Sequence, residues 1–148
     1  MISMTANAKI NVGLKILNKR EDGYHNLETT FSTISLADEI KLEESNEIIE
    51  IRCPELKMAP SENICDKAVR LIHAECGVKK GVRITIKKRI PVGGGLGGGS
   101  SDAAAVLKGL NELWSLSMSD EQLMALGKKL GCDVPFFIRG GAAYARGR

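Results

Sequence analysis

Apolar and polar residues alternate along the first third of the chain with the period of two that is typical of strands. The run 8–17 predicts a half-buried strand, and residues 24–36 predict the strand that returns after the polar connection 18–23. Two shorter strands are expected at 39–43 and 48–52. In the first strand, the face that we expect to be buried carries Ile10, Val12, Leu14 and Ile16, and the opposite, polar face carries Lys9, Asn11, Gly13 and Lys15.

Apolar residues then recur at helical spacing from Ile64 to Cys76 and predict a first helix. Ser61, which follows Pro60, is expected to cap its start, and Gly77 can end it in the left-handed conformation. Val82 to Ile86 alternates apolar with basic or hydroxyl residues, so it predicts a strand that leads towards a glycine run.

The last third of the chain predicts two more helices, one from about Ser101 to Trp114 and one that begins at Ser119 with a capping box and stops at Gly131. The apolar runs at 132–138 and 142–145 are predicted to form a buried strand and its hairpin partner. Strands and helices interleave without a regular βαβα rhythm. We therefore expect an α+β fold with a mixed or antiparallel sheet and about three helices.

Length and charge limit the possible functions. The 148 residues suffice for one domain, which we expect to span 1–148. A formal charge of +3 favours anionic ligands slightly but is too small for a nucleic-acid-binding protein. The four cysteines show no C-x-x-C spacing, which predicts reduced thiols, a cytoplasmic setting and no metal site. No apolar run approaches the length needed to cross a bilayer.

The run 91–101 contains six glycines within seven positions and leads directly into the helix-forming Asp102–Leu107. A backbone without Cβ atoms followed by a helix N-terminus is typical of a phosphate-binding loop. A flexible linker is the alternative, but a linker would lead into polar chain. A dinucleotide fingerprint also fits the glycines, although the preceding segment is not a buried apolar strand. A Walker A loop is excluded because no Gly-Lys-Ser or Gly-Lys-Thr follows.

Four segments together resemble the superfamily of galactokinase, homoserine kinase, mevalonate kinase and phosphomevalonate kinase. They are Ala8–Val12, Asp22–His25, Pro91–Ala104 and Gly131–Phe137. Within it, they are most similar to kinases that phosphorylate a hydroxyl of a cytidyl diphosphate alcohol in non-mevalonate isoprenoid synthesis. The resemblance implies the ribosomal-protein-type fold of the amino-terminal half of these kinases. It also implies ATP and Mg²⁺ as cofactors.

The resemblance further implies a role for individual residues. Asp133 would accept the hydroxyl proton, and Lys9 would keep Asp133 ionised and stabilise the transferring group. Asn11, Tyr24 and His25 would hold the cytidyl substrate, and Asn63 would lie near the nucleotide. Without the resemblance, Lys9 is also compatible with a solvated strand position, Asp133 with a turn and Asn63 with a helix cap. The loop that would bind the ATP phosphates is Pro91, Val92, Gly93, Gly94, Gly95, Leu96, Gly97, Gly98, Gly99, Ser100, Ser101 and Asp102.

Kinases of this superfamily are longer, and the third glycine-rich motif of their carboxy-terminal domain has no counterpart in this chain. We therefore expect an amino-terminal kinase domain that phosphorylates poorly alone and can self-associate through the uncovered face. Two other hypotheses remain at this point. One is a non-catalytic interaction module that retains the fold, and the other is a dinucleotide-binding oxidoreductase domain.

Overall fold

The computed structural model describes residues 1–23, 25–56, 62–140 and 142–147, with side chains left out at 14–15, 25–29 and 142–147. These described residues form five strands and four helices. The strands are β1 (Ile2–Lys19), β2 (His25–Ser45), β3 (Ile49–Arg52), β4 (Gly81–Lys87) and β5 (Ala142–Gly147). The helices are α1 (Ile64–Cys76), α2 (Gly98–Leu113), α3 (Asp120–Leu130) and α4 (Val134–Arg139).

All five strands form one sheet in the order β1-β2-β4-β3, with β5 paired to the first part of β2. Only the β3–β4 pair is parallel among the pairs that the structure describes, so the sheet is mixed. The predicted hairpin between β1 and β2 is present, and the predicted strand at 39–43 is the second part of β2. The α+β class is thus confirmed, with four helices instead of about three.

The predicted burial of the β1 face is wrong. Ile10 is 40% exposed, and Val12 and Ile16 are each 63% exposed, whereas Lys9 is only 9% exposed. The pairing of β1 with β2 is irregular between Asn7 and Lys9. Such an irregularity re-aims the side chains beyond it, so Lys9 rather than Ile10 points to the interior.

Helices α1 and α3 begin and end close to their predicted limits because both carry local capping signals. Asn63 caps α1 through its side chain, and Gly77 ends it with φ 64°. The expected cap at Ser61 lies outside the described residues. Helix α3 starts after Ser119 with the predicted capping box, and its C-cap is Gly131.

The two remaining helices differ from expectation. Helix α2 begins at Gly98, inside the glycine run, three residues before the predicted start at Ser101. The run predicted as a strand at 132–138 forms α4 instead. Pro135 is tolerated because the first turn of a helix needs no intrahelical N–H donor.

Helix α2 lies at the centre of the core, and its residues 101–107 are all buried. A Cβ atom built at Gly109 would lie 2.7 Å from Leu42 Cδ1, so α2 packs directly against β2. On β4, Val82, Ile84 and Ile86 are buried, as their alternation predicts. This packing fixes the N-terminus of α2 at one end of the sheet, beside β1.

Candidate active site

A cavity of about 520 Å³ opens at the N-terminus of α2. Three separate parts of the chain supply its candidate chemistry. Lys9 comes from β1, the glycine loop 91–97 precedes α2, and Asp133 lies immediately before α4. The structure therefore brings the two predicted catalytic residues together with most of the predicted phosphate-binding loop.

The glycine loop presents an uncapped helix N-terminus to this cavity. Gly97 is the N-cap of α2 at φ 70°, and it has no side chain to bond to the first helical N–H groups. The residues that carry those free N–H groups, Gly98 to Ser100, line the cavity. Positive helix-dipole charge and free amide donors at one place form an anion site.

The loop is held against β1 by backbone and side-chain contacts. The Lys9 amide donates to the Leu96 carbonyl at 2.9 Å, and the Ser101 hydroxyl donates to the Asn7 carbonyl at 2.6 Å. A Cβ atom at Gly97 would lie 2.8 Å from Phe137 Cζ and 3.1 Å from Lys9 Cγ. A glycine is therefore required at this position, both by its conformation and by the approach of the two side chains.

The Lys9 side chain runs through this contact region into the cavity. Its ammonium lies 4.9 Å from the centroid of the Phe31 ring and 3.4 Å from Asn11 Oδ1. Asp133 is half-buried and occupies the N-cap position of α4, but its carboxylate makes no capping hydrogen bond. Both charged groups are thus available to a ligand in the cavity.

The other predicted site residues do not all line the cavity. Asn63 lines the cavity, but its Oδ1 accepts the Cys65 amide at 2.9 Å, so it serves as the α1 cap that the sequence also allowed. Ser101 and Asn11 are not among the residues lining the cavity, although Asn11 contacts Lys9. Tyr24 and the side chain of His25 lie outside the part of the chain that the structure describes.

A buried ion cluster beneath the loop was missed by the sequence analysis. Lys88 Nζ lies 2.7 Å from Asp38 Oδ2 and 3.0 Å from Asp102 Oδ2. The second oxygen of Asp38 accepts the amides of Arg89 and Ile90. The alternation gave a signal, because Lys88 continues the inward positions of β4 and Asp38 shares the register of the buried residues Ile40 and Leu42 on β2.

The three ionisable side chains in this cluster have shifted pKa values. Burial raises the pKa of Asp102 to about 8, and a hydrogen bond shared with Asp38 adds to the effect. Burial also acts to raise the pKa of Asp38, but hydrogen bonds from Asp102, Lys88 and two backbone amides lower it overall. The pKa of Lys88 is raised because its two carboxyl partners outweigh its desolvation. These shifts favour the charged forms of Asp38 and Lys88 and the protonated form of Asp102 near neutral pH.

Two other kinds of site receive no support within the described ranges. No group of three or more His, Cys, Asp or Glu side chains is arranged to hold a metal ion there. None of the described helices has the length and apolar character to traverse a bilayer.

The family model for the N-terminal domain of GHMP kinases matches residues 63–141, which is more than half of the chain. The chain belongs to the GHMP kinase family. The match covers the glycine loop, all of α2 and Asp133. The match contains two of the four segments on which the resemblance rested, Pro91–Ala104 and Gly131–Phe137, and it confirms the superfamily.

Relatives and solved structures agree with this GHMP assignment. The 4-diphosphocytidyl-2-C-methyl-D-erythritol kinases of Caldicellulosiruptor bescii and Alkaliphilus metalliredigens are 47% and 50% identical to 99% of this chain. A crystal structure of 4-(cytidine 5'-diphospho)-2C-methyl-D-erythritol kinase superposes with a TM-score of 0.86 at 44% identity, covering 99% of this chain and 52% of that one. Mevalonate kinase of Methanococcus jannaschii, with a TM-score of 0.73 at 15% identity, shares the fold.

This GHMP domain spans about half the length of the curated relatives it matches, 52% of the Caldicellulosiruptor bescii protein and 51% of the Alkaliphilus metalliredigens protein. The alternative hypotheses of a dinucleotide-binding oxidoreductase and of a non-catalytic module find no support in these comparisons.

Proposed function

We propose that this chain is the ATP- and substrate-binding part of a small-molecule kinase that phosphorylates the 2-hydroxyl of 4-diphosphocytidyl-2-C-methyl-D-erythritol. The observation that supports the proposal best is the single cavity shared by Lys9, Asp133 and the glycine loop at the N-terminus of α2. The identity of the substrate is inferred from the names of relatives that are 47% and 50% identical to this chain.

The proposed chemistry assigns one task to each part of the cavity. The backbone N–H groups of residues 92–100 hold the phosphates of ATP, where the helix dipole favours negative charge. Asp133 accepts the proton of the attacking hydroxyl, a contribution of about 10²- to 10⁴-fold. Lys9 neutralises charge on the transferring phosphoryl group, since phosphoryl transfer depends mainly on positioning and electrostatics.

Magnesium enters this proposal with ATP. Mg²⁺ usually keeps several waters and binds through substrate phosphates plus one or two carboxylates. The cavity wall carries carboxylates, but no described cluster could hold a metal by protein ligands alone. The donor set therefore fits a metal that is carried by the nucleotide, and we assign no protein ligand to it.

The cytidyl part of the substrate is assigned to Asn11, Tyr24 and His25. An aromatic ring and an imidazole suit stacking on a pyrimidine and hydrogen bonding to it. Asn11 Oδ1 lies 3.4 Å from the Lys9 ammonium, so one of the proposed substrate contacts and the proposed catalytic lysine lie on the same strand. Self-association through exposed apolar β1 residues such as Val12 and Ile16 remains part of the proposal.

The test is calorimetric titration of ATP and of the cytidyl diphosphate alcohol, followed by a phosphorylation assay. It uses this chain and a chimera in which the chain is continued by the carboxy-terminal half of the Caldicellulosiruptor bescii relative. We expect both proteins to bind ATP and the chimera to turn over faster, because a more enclosed site excludes water. Absence of ATP binding to both proteins would contradict the proposal.

Paired variants identify the residues that act. In the chimera, Asp133→Asn and Lys9→Met should each lower kcat by about 10²-fold or more. The matched controls are Glu112→Gln and Lys41→Met, exposed charges on α2 and on the outer face of β2. Equal losses in the controls and in the site variants would show that the cavity residues have no special role.

A further inference from the structure

The buried cluster of Asp38, Lys88 and Asp102, which we call the floor triad, lies directly under the glycine loop. A Cβ atom at Gly98 would lie 3.0 Å from Lys88 Nζ, so the ammonium supports the first turn of α2. Lys88 and Asp102 also line the nucleotide cavity. The floor triad therefore joins β2, the end of β4 and α2 at the place where phosphate is proposed to bind.

One atom of the floor triad lacks a partner. Oδ1 of Asp102 is buried and makes no hydrogen bond within the described part of the chain, and the whole residue is only 3% exposed. A buried, ionised carboxylate oxygen without a partner is costly, whereas a protonated carboxyl can share its hydrogen with the Asp38 carboxylate. The geometry therefore favours a proton on Asp102.

The net charge of the floor triad depends on that proton. With both carboxyl groups ionised, two negative charges oppose the single positive charge of Lys88 and the floor carries −1. With Asp102 protonated, the floor is neutral. A triphosphate above a floor of charge −1 would be repelled at short range in a poorly solvated site, so an anion should select the neutral form.

We propose that Asp38, Lys88 and Asp102 are positioning residues that couple anion binding at the glycine loop to a proton on Asp102. The inference rests on the proposed function. ATP binds the protein that carries this proton, and when the carboxylate is ionised beforehand, binding takes up one proton from the buffer. The floor triad does not touch the reacting atoms. It acts by setting the charge and the position of the first turn of α2.

Other titratable groups near Asp102 must be separated from it. Cys65 on α1 and Cys53 after β3 both sense its charge, and burial raises the pKa of each thiol further above its ordinary value. Lys9 and Asp133 line the same cavity as Asp102. The groups to be considered are Asp38, Lys88, Cys53, Cys65, Lys9 and Asp133. A variant that changes Asp102 alone isolates its proton from all of them.

The experiment measures ATP affinity of the whole 148-residue chain by calorimetry between pH 7 and pH 9, in buffers of different ionisation enthalpy. This range lies above the second pKa of phosphate, about 6, so ATP itself contributes little. Because the pKa of Asp102 is about 8, Kd should rise about tenfold from pH 7 to pH 9 when only the protonated form binds. About half a proton should be taken up at pH 8.

Asp102→Asn is the decisive variant because its amide is neutral at every pH and nearly isosteric. Whatever its ATP affinity at pH 7, this variant should have a Kd that is flat from pH 7 to pH 9, and its binding of ATP should take up no proton. Glu62→Gln removes a charge from the same cavity outside the floor triad and should keep the original pH dependence.

The possible outcomes separate this inference from the proposed function. If ATP binds and the Kd of Asp102→Asn depends on pH as steeply as that of the original chain, the coupling is wrong and the nucleotide site stands. If ATP does not bind the original chain at any pH, the coupling is wrong, and the proposed function is also wrong if the chimera fails to bind ATP as well. A ligand-free ¹³C titration of the Asp102 carboxyl gives a reading that needs no variant, and ionisation near pH 4 would also overturn the coupling.

Discussion

Replacing Gly97 by alanine should destabilise the protein through two effects that a second variant can separate. Gly97 has φ 70° and Gly95 has φ 73°, so alanine at either position adopts a left-handed conformation. That conformation costs about 1–2 kcal/mol. A Cβ atom at Gly95 meets nothing within 4 Å, whereas one at Gly97 collides with Phe137 and crowds Lys9.

The collision sets the expected difference between the two variants. Phe137 is 7% exposed and Lys9 is 9% exposed, so neither side chain can move freely into solvent. Overpacking of this kind costs about 1–3 kcal/mol. We therefore expect Gly95→Ala to lower the free energy of unfolding by about 1–2 kcal/mol and Gly97→Ala by about 2–5 kcal/mol.

Urea unfolding followed by the fluorescence of Trp114, the single and buried tryptophan, measures both values. ATP titration of the two folded variants gives the functional counterpart, and only Gly97→Ala should displace Lys9 and Phe137. If the two variants lose the same free energy within about 0.5 kcal/mol, the close approach of β1 and α4 to the loop does not constrain the chain as described.

Three further changes have effects that urea unfolding can measure. The pKa of Asp102 is raised from 3.8 to about 8, so the folded state keeps a proton that the unfolded state has lost, and stability falls as pH rises between these values. The free energy of unfolding of Asp102→Asn, relative to that of the original chain, should therefore rise by up to about 1.4 kcal/mol per pH unit from pH 5 to pH 8 and then level off. A difference that does not change with pH would contradict this. Ser119→Ala loses the hydrogen bond from the Gln122 amide and should lower the free energy of unfolding by about 1 kcal/mol. An unchanged free energy of unfolding would contradict a stabilising role for the capping box. Asn111→Ala removes two bonds to the Met118 backbone and should cost about 1–3 kcal/mol, unlike the exposed control Glu112→Gln.

Local signals explain which parts of the fold could be predicted. Helices α1 and α3 were found because their apolar spacing and caps lie within a few residues of each other in the sequence. The alternation of β4 was confirmed for the same reason. Helix α4 was missed because a short apolar run has no period that separates a strand from a buried helix. Its structure depends on tertiary packing of Val134 and Ile138 against Gly127 of α3.

The candidate site could be predicted from the sequence only in part. The glycine run and the resemblance placed Lys9, Asp133 and the loop together, and the structure has them around one cavity. The burial of Lys9 was not predictable from alternation, because it follows an irregularity in pairing that only the β1–β2 register reveals. Lys88 carried a readable signal because it continues the inward alternation of β4 one residue beyond the strand, but its partner Asp38 is fifty residues away in the sequence.

The bond from the Lys9 amide to the Leu96 carbonyl means that loop and lysine cannot move independently. A ligand that orders the glycine loop should therefore also order the segment of β1 that carries Lys9, so under the proposed function phosphate binding and the placement of the Lys9 ammonium are coupled. The exchange rate of the Lys9 amide hydrogen with solvent thus measures how often the glycine loop separates from β1.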